Sequence, residues 1–348
     1  MRFETSSIRS MLGLRFRDAT TERPVTDGLR VNVRRADGTG GATQAVRTVS
    51  GAYVAQELAG LRAYERVPRD IPENIPEDPS NLNNENEEDR IIKKKDYLVD
   101  IRDWRGRFVP VLLKVKLPYT PKQKFGGLYP VVDPPPEEQV GENRTPEPTV
   151  YLFSAVQRPV SSGQTVVYAD LVEKTGGAWQ PAAHAVVEVR HVPNADGSGG
   201  NGNQNGEEVW YGIADGEGRV AVQFPLPSVQ LETLSGNGDG GEESNGADGG
   251  NGSGGSSDRR GGLSTLSGRS WPLVVRVFYD PSLSIPSRAR RPTLRKILSQ
   301  RSQDPAPIHK TTGSQSETLE PALTYGESLV LRTEGRSALR IAPSSNGS

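Results

Sequence analysis

Apolar and polar residues alternate along much of the chain, and that period of two predicts strands. At 29–34, Leu29, Val31 and Val33 alternate with Arg30, Asn32 and Arg34, as expected of a strand with one dry face and arginines on the wet one. The segment LGLRFR at 12–17 reads the same way, and short runs at 45–48, 53–55, 97–101 and 108–117 continue the series. A second set follows at 150–153, 165–172, 185–190 and 271–279. The most informative stretch is YGIADGEGRVAVQFP at 211–225. Its Asp-Gly-Glu-Gly string, with Asp215, Gly216 and Gly218, predicts a hairpin turn, because glycine reaches the positive φ that such turns demand. Val220, Val222 and Phe224 then alternate with Ala221 and Gln223. This hairpin is expected to pair with the strand at 271–279. A weaker echo of turn and strand around Gly51 and Tyr53 suggests two similar β modules.

The pattern stops in three places. From 68 to 95 the chain carries Glu73, Glu77, Asp78, Glu85, Glu87, Glu88 and Asp89 among prolines and asparagines, which predicts a solvated insertion. Residues 119–148 are proline-rich, including Pro134, Pro135 and Pro136, and read as an extended linker. Residues 230–269 are dominated by Gly, Ser, Asn and Asp and cannot bury enough apolar surface to offset their ordering entropy. The expected organisation is an all-β chain of two antiparallel sandwich modules, 1–118 and 149–281, followed by an extension over 282–348. In that extension Leu294, Ile297 and Leu298 stand at helical spacing behind a Thr293 cap, and 327–341 predicts a last hairpin.

Composition narrows the function classes. Only 33% of the 348 residues are hydrophobic, with 39 Gly and 27 Pro, so part of the chain must be unpacked. Forty-two Lys and Arg against 43 Asp and Glu leave a net charge of -1, which argues against a global field for nucleic acid or membrane. Cysteine is absent, which removes disulfides, thiolate nucleophiles and Cys-ligated metals. No apolar run resembles a signal peptide or a membrane helix, so the expectation is a soluble protein made in the cytoplasm.

Candidate chemistry is sparse. His184, His191 and His309 are the three imidazoles, and none stands in a recognisable ligand or nucleophile motif. The odd interval between His184 and His191 would put them on opposite faces of a regular strand. Asp215, Glu217 and Asp280 can be imagined around Ca²⁺, but Asp-Gly-Glu-Gly lacks the ligand ladder of a calcium loop and reads better as a turn. Arg288, Arg290, Arg291, Arg295, Lys296 and Arg301 form one concentrated basic group without interleaved aromatics. It reads as a solvated helix face or a dock for an acidic partner rather than a nucleic-acid site. No cofactor or metal is expected. The sequon at 143–145 acquires meaning only in a secreted protein.

Two resemblances add to this. The segment TVSGAYVAQELAG at 48–60 resembles the recurrent turn-Gly-x-Tyr segment of carboxypeptidase regulatory-like domains, which are transthyretin-type or immunoglobulin-like sandwiches, and GIADGEGRVAVQFP is similar. The resemblance implies turn roles for Gly51 and Gly218 and core-facing roles for Tyr53 and Val220, and nothing resembles the catalytic zinc domain. More widely, RFRDATTERPVTDGLRV at 15–31, DWRGRFVPV at 103–111, WPLV at 271–274 and YGESLVLR at 325–332 look like β-sandwich proteins encoded beside phage-tail-like contractile injection systems. That implies a non-enzymatic structural subunit, at the baseplate or another terminal assembly, whose partners are other subunits of the particle. Trp104, Phe125, Tyr129, Trp179, Arg290, Arg291 and Arg295 are the candidate partner contacts. The alternative is a carbohydrate- or surface-binding sandwich module.

Overall fold

The computed structural model describes residues 12–61, 95–117, 149–191, 208–226, 270–284, 291–311 and 313–342. The acidic and Gly-rich insertions and the proline-rich linker lie outside them, apart from a few flanking residues. Strands dominate, and they stack as two sandwiches. In the first, one sheet has the order β4-β5-β1-β8, built from β1 (Leu12–Asp18), β4 (Val46–Arg47), β5 (Tyr53–Ala55) and β8 (Thr149–Leu152). The facing sheet runs β3-β2-β6-β7, from β2 (Leu29–Arg35), β3 (Thr43–Gln44), β6 (Lys95–Asp103) and β7 (Val111–Leu117). The alternation in β2 emerges as read: Val31 and Val33 are buried while Arg30 and Arg34 face water.

The strand β8 corrects the expected module boundary. It pairs with β1 in parallel, Arg15 opposite Thr149 and Asp18 opposite Leu152, so it completes the first sandwich instead of opening the second.

The second sandwich is organised on β9 (Gln164–Thr175). Along one edge of β9 lie β13 (Arg219–Pro225) and β10 (Ala178–Pro181), both antiparallel to it. Along the other lie β18 (Leu329–Leu331) and β19 (Leu339–Ile341), both parallel to it, and β15 (Ile308–Thr311) and β16 (Ser314–Ser316) extend the sheet to seven strands. The opposing sheet has the order β12-β11-β14-β17, from β11 (Val186–His191), β12 (Val209–Ile213), β14 (Ser270–Phe278) and β17 (Ala322–Thr324).

Four expectations are corrected here. The Asp-Gly-Glu-Gly turn does not close a hairpin: β12 pairs with β11 and β13 with β9, so the turn arches from one sheet to the other. Trp210 and Phe224, which flank that arch in sequence, stack across the core at 4.3 Å. Consequently β14 pairs with β11, not with β12 or β13. The C-terminal segment is not an appended extension either, because β15, β18 and β19 supply Ile308, Leu331, Leu339 and Ile341 to the second core. The expected last hairpin is two strands placed end to end on β9.

Helix α1 (Leu294–Leu298) is capped by Thr293, whose Oγ1 accepts from the Lys296 amide at 3.4 Å. Its Leu294, Ile297 and Leu298 join a core that contains Phe16, Val31, Tyr97 and Val115 of the first sandwich together with Val186, Tyr211, Ile213 and Phe278 of the second. The helix is therefore a wedge: the apolar cluster of the first sandwich extends through it to one face of the β11, β12 and β14 sheet, while the second sandwich keeps a core of its own. Burying each of those three side chains is worth about 2 kcal/mol.

Candidate functional site

The surface that stands out is a loop end of the first sandwich. The turn after β6 is over-determined. Buried Asp103 accepts from the Arg107 amide at 2.6 Å and from Arg107 Nε at 3.0 Å, while the Asp103 carbonyl accepts from the Gly106 amide at 3.1 Å. Gly106 sits at φ 69°, a conformation that favours glycine. The turn is tied sideways to 26–28: the Trp104 amide donates to the Gly28 carbonyl at 3.0 Å, Arg107 Nη2 to the Asp27 carbonyl at 2.7 Å, and Arg105 pairs with Asp27 at 2.9 Å. On this fixed frame the Trp104 indole is 72% exposed, with the Arg105 guanidinium 5.0 Å from its centroid.

The β4–β5 turn meets the same frame. Gly51 sits at φ 81°, and a Cβ there would lie 2.8 Å from Thr26 Cγ2, so a turn glycine lets this loop close on the neighbouring one. Val49 at its tip is fully exposed, and Val46 is 69% exposed. A further connection follows β8, where Ala155 donates to the Arg107 carbonyl at 2.9 Å and Val160 is exposed. Among the described residues six large hydrophobics are exposed; Val49, Trp104 and Val160 are carried by these loops and Val46 by the short strand β4 that leads into one of them. The other two, Trp179 and Val330, lie on the large sheet of the second sandwich. The valines carried no sequence signal, since exposure depends on which loops the fold brings together.

Behind the loop end is a buried polar junction. Arg158 donates to both carboxylate oxygens of Asp18, at 2.9 and 2.5 Å, and to Ser154 Oγ at 3.0 Å. Gln223 of β13 donates from Nε2 to the Arg158 carbonyl at 3.0 Å, so the junction also fastens the second sandwich. Burial alone would raise the Asp18 carboxyl; the Arg158 guanidinium, the Thr20 amide and the Thr21 hydroxyl reverse this and hold it below its ordinary value.

The remaining candidates are distributed differently. Trp179 of β10 is covered by the Arg340 guanidinium at 4.1 Å and meets the His309 ring edge-on at 6.4 Å. Phe125, Tyr129, Arg288 and Arg290 lie outside the described residues. The basic group is split: Arg291 pairs with Asp100 at 3.6 Å and Arg301 stacks 4.0 Å over Tyr211, whereas Arg295 and Lys296 face water on α1. Two arginines of the supposed patch thus anchor the wedge.

Asp215 holds its own turn, its Oδ1 accepting from the Glu217 and Arg219 amides at 2.9 and 3.0 Å and its Oδ2 from the Arg219 side chain. Asp280 instead caps the 3-10 turn Pro281–Leu283, accepting from the Ser282 amide, and the exposed Glu217 carboxylate lies 3.1 Å from Arg219, so the three acids imagined around calcium have separate partners. Among the described residues no three His, Asp or Glu gather as a metal would need. Gly216 has open space around it, whereas a Cβ on Gly218 would lie 2.4 Å from the Leu171 carbonyl oxygen. His184 precedes β11 at φ 64° instead of lying on the strand, and its backbone joins Ala214 and Gln300. Burial and the nearby Arg291 charge lower its pKa.

No family model matches the chain, and no curated protein matches it. A solved Bacteroides ovatus chain, described as a "putative adhesin", is similar at 9% identity over 91% of this chain and 96% of that one, with a TM-score of 0.18. At that score the likeness carries no weight for fold or function. No helix among the described residues is long and apolar enough to cross a membrane.

Proposed function

We propose that the protein is a non-enzymatic structural subunit that works by docking to other proteins through the Trp104 loop end. The observation that carries this reading is the exposed Trp104 on a turn fixed by Asp103, Arg107 and Asp27, beside the loop whose tip exposes Val49. An exposed tryptophan on a pre-ordered turn loses little entropy on binding and is a strong anchor. Clustered exposed apolar side chains mark contact surfaces.

The particle in which it docks is read from the sequence resemblance alone: a phage-tail-like contractile injection system, at the baseplate or another terminal assembly, with synthesis in the cytoplasm before assembly. The apolar contact between the sandwiches suits such a role, since a subunit that transmits force between neighbours benefits from modules packed against each other. The test is affinity recovery of the tagged protein from its native cells, with mass spectrometry of what accompanies it. Recovery of sheath, tube or baseplate proteins, reduced in Trp104→Ala, supports the reading. Recovery of none, or equal recovery with the variant, overturns it.

A further inference from the structure

We propose that the outer face of the seven-stranded sheet around Trp179 docks the acidic run 73–89 of a second copy of this chain. The inference stands apart from the Trp104 loop end and rests on different residues.

The face is assembled by register. Trp179 of β10 lies opposite Lys174 of β9, and Arg340 of β19 lies opposite Val172, which is also opposite Pro181. The pairing of Ile308 with Ile341 brings His309 of β15 beside Arg340. The indole is sandwiched into this group by Arg340, 4.1 Å over its ring, and by the edge of His309, whose Nε2 is 3.3 Å from Gln315 Nε2. Arg336 and Arg340 belong to one tight excursion of the chain, closed by Thr333 donating to the Ala338 carbonyl and Arg336 to the Thr333 carbonyl. Their charges repel, which adds to desolvation in lowering the Arg340 pKa.

What sets this face apart among the described residues is that its cations are not paired with the acids near them, Glu334 of the same excursion included. Arg158, Arg219 and Arg291 each pair with a carboxylate, whereas among the described residues Lys174, Arg336 and Arg340 form no ion pair. On the outer row of β9 the nearest acid is Asp170, which is opposite Arg219. The result is a cationic rim around an apolar strip of Trp179, Val172 and Pro181.

The complementary chemistry is carboxylates interspersed with aliphatic residues on an extended polypeptide. The run from Glu73 to Asp89 supplies it, with Glu73, Glu77, Asp78, Glu85, Glu87, Glu88 and Asp89, no lysine or arginine, and Ile75 and Leu82 between. A sugar ring fits less well, because Arg340 already occupies a face of the indole on which it would stack. The run is rooted on the first sandwich, where Lys95 Nζ donates to the Gly60 carbonyl at 2.8 Å. The Trp179 end of β9 lies about 26 Å along the strand from Val166, which faces the junction with the first sandwich. The run belongs to the sequence of the first sandwich and the face to the second, so two copies can each supply what the other offers.

The test is sedimentation of the full chain at low salt. The expected result is a concentration-dependent dimer that dissociates as salt rises. Arg336→Glu with Arg340→Glu should weaken it by about tenfold or more, as should Glu85→Lys, Glu87→Lys and Glu88→Lys together, and mixing the two charge-reversed proteins should restore association. Arg340→Gln, which keeps a polar side chain without the charge, gives a milder version, and near-UV circular dichroism establishes that each variant is folded. A wild-type chain that stays monomeric, or a dimer indifferent to both reversals, overturns the proposal. So does binding of alginate, a polyuronate, to this face by a chain that ignores a synthetic 73–89 peptide.

Discussion

The guanidinium of Arg158 holds both oxygens of the Asp18 carboxylate, at 2.9 and 2.5 Å, across 140 positions of sequence. Both side chains are nearly buried, at 11% and 8% exposure. Arg158→Met leaves the carboxylate buried without its cation, and an uncompensated charge of that kind costs about 3 kcal/mol. Asp18→Asn should cost less, since the amide still accepts hydrogen bonds and carries no charge. Urea unfolding of both variants and of the double variant checks this: equal losses for all three would show strong coupling, and additive losses would show that the pair does not act as a unit.

The same pair fixes an acid limit. The Asp18 carboxyl is held below its ordinary value of 3.8, so the unfolded chain takes up a proton first on acidification. The stabilisation is complete above that value and is lost as pH falls below it, through the folded pKa. Asp18→Asn should flatten the stability curve in this window, measured by thermal melts.

Gly218 and Gly216 are two positions apart and should respond oppositely to the same change. Gly218→Ala forces a side chain at φ 77° into the Leu171 carbonyl, 2.4 Å away. The strained backbone alone costs about 1 kcal/mol, and the clash adds to it. Gly216→Ala meets open space and should be neutral within about 0.5 kcal/mol. Chemical denaturation of both separates conformational demand from simple loop tolerance.

His184 makes folding sensitive to mild acid. Burial, reinforced by the Arg291 charge, lowers its pKa from 6.5, while Asp215 opposes the shift. Below 6.5 the unfolded chain binds the proton and the folded one resists it, so stability falls as pH drops from that value. Burial lowers His191 in the same direction. His184→Asn keeps a residue tolerant of φ 64° and removes the titration. Its stability should vary less between pH 6.5 and 5 than that of the wild type, with the His191 share remaining.

Trp104→Ala should leave the fold intact, within about 0.5 kcal/mol, because the indole is 72% exposed. Docking should weaken by about 2 kcal/mol, roughly 30-fold. Comparing the unfolding midpoint with the affinity for a recovered partner tests both at once.

Individual strands were legible because alternation reports which face of a strand is buried: Val31 and Val33 needed no partner to be read, whereas in β13 Ala221 and Gln223 are buried along with Val220, Val222 and Phe224, and Gln223 bonds to Arg158 there. Alternation says nothing about the neighbour. A turn such as 215–218 looks alike whether its arms pair with each other or with different sheets, and the choice is made by β9 and β11. The parallel pairing of β8 with β1 joins distant residues, leaving no local trace. The same holds at the loop end. Trp104 could be singled out as an aromatic in a turn, but Val46 and Val49 become a surface only when Gly51 brings their loop against Thr26.

The parallel strands on β9 also set a timetable for synthesis. One whole edge of β9 is covered by β18 and β19, which end at Ile341. At roughly 5–20 residues per second, about 10–30 s pass between the emergence of β9 and that of its last partner. During that interval the nascent chain carries an unsealed strand edge, the kind of template on which neighbouring chains cross-pair. The second sandwich must therefore close only after nearly all of the described chain has left the ribosome, and its yield in cells depends on keeping that edge guarded until then.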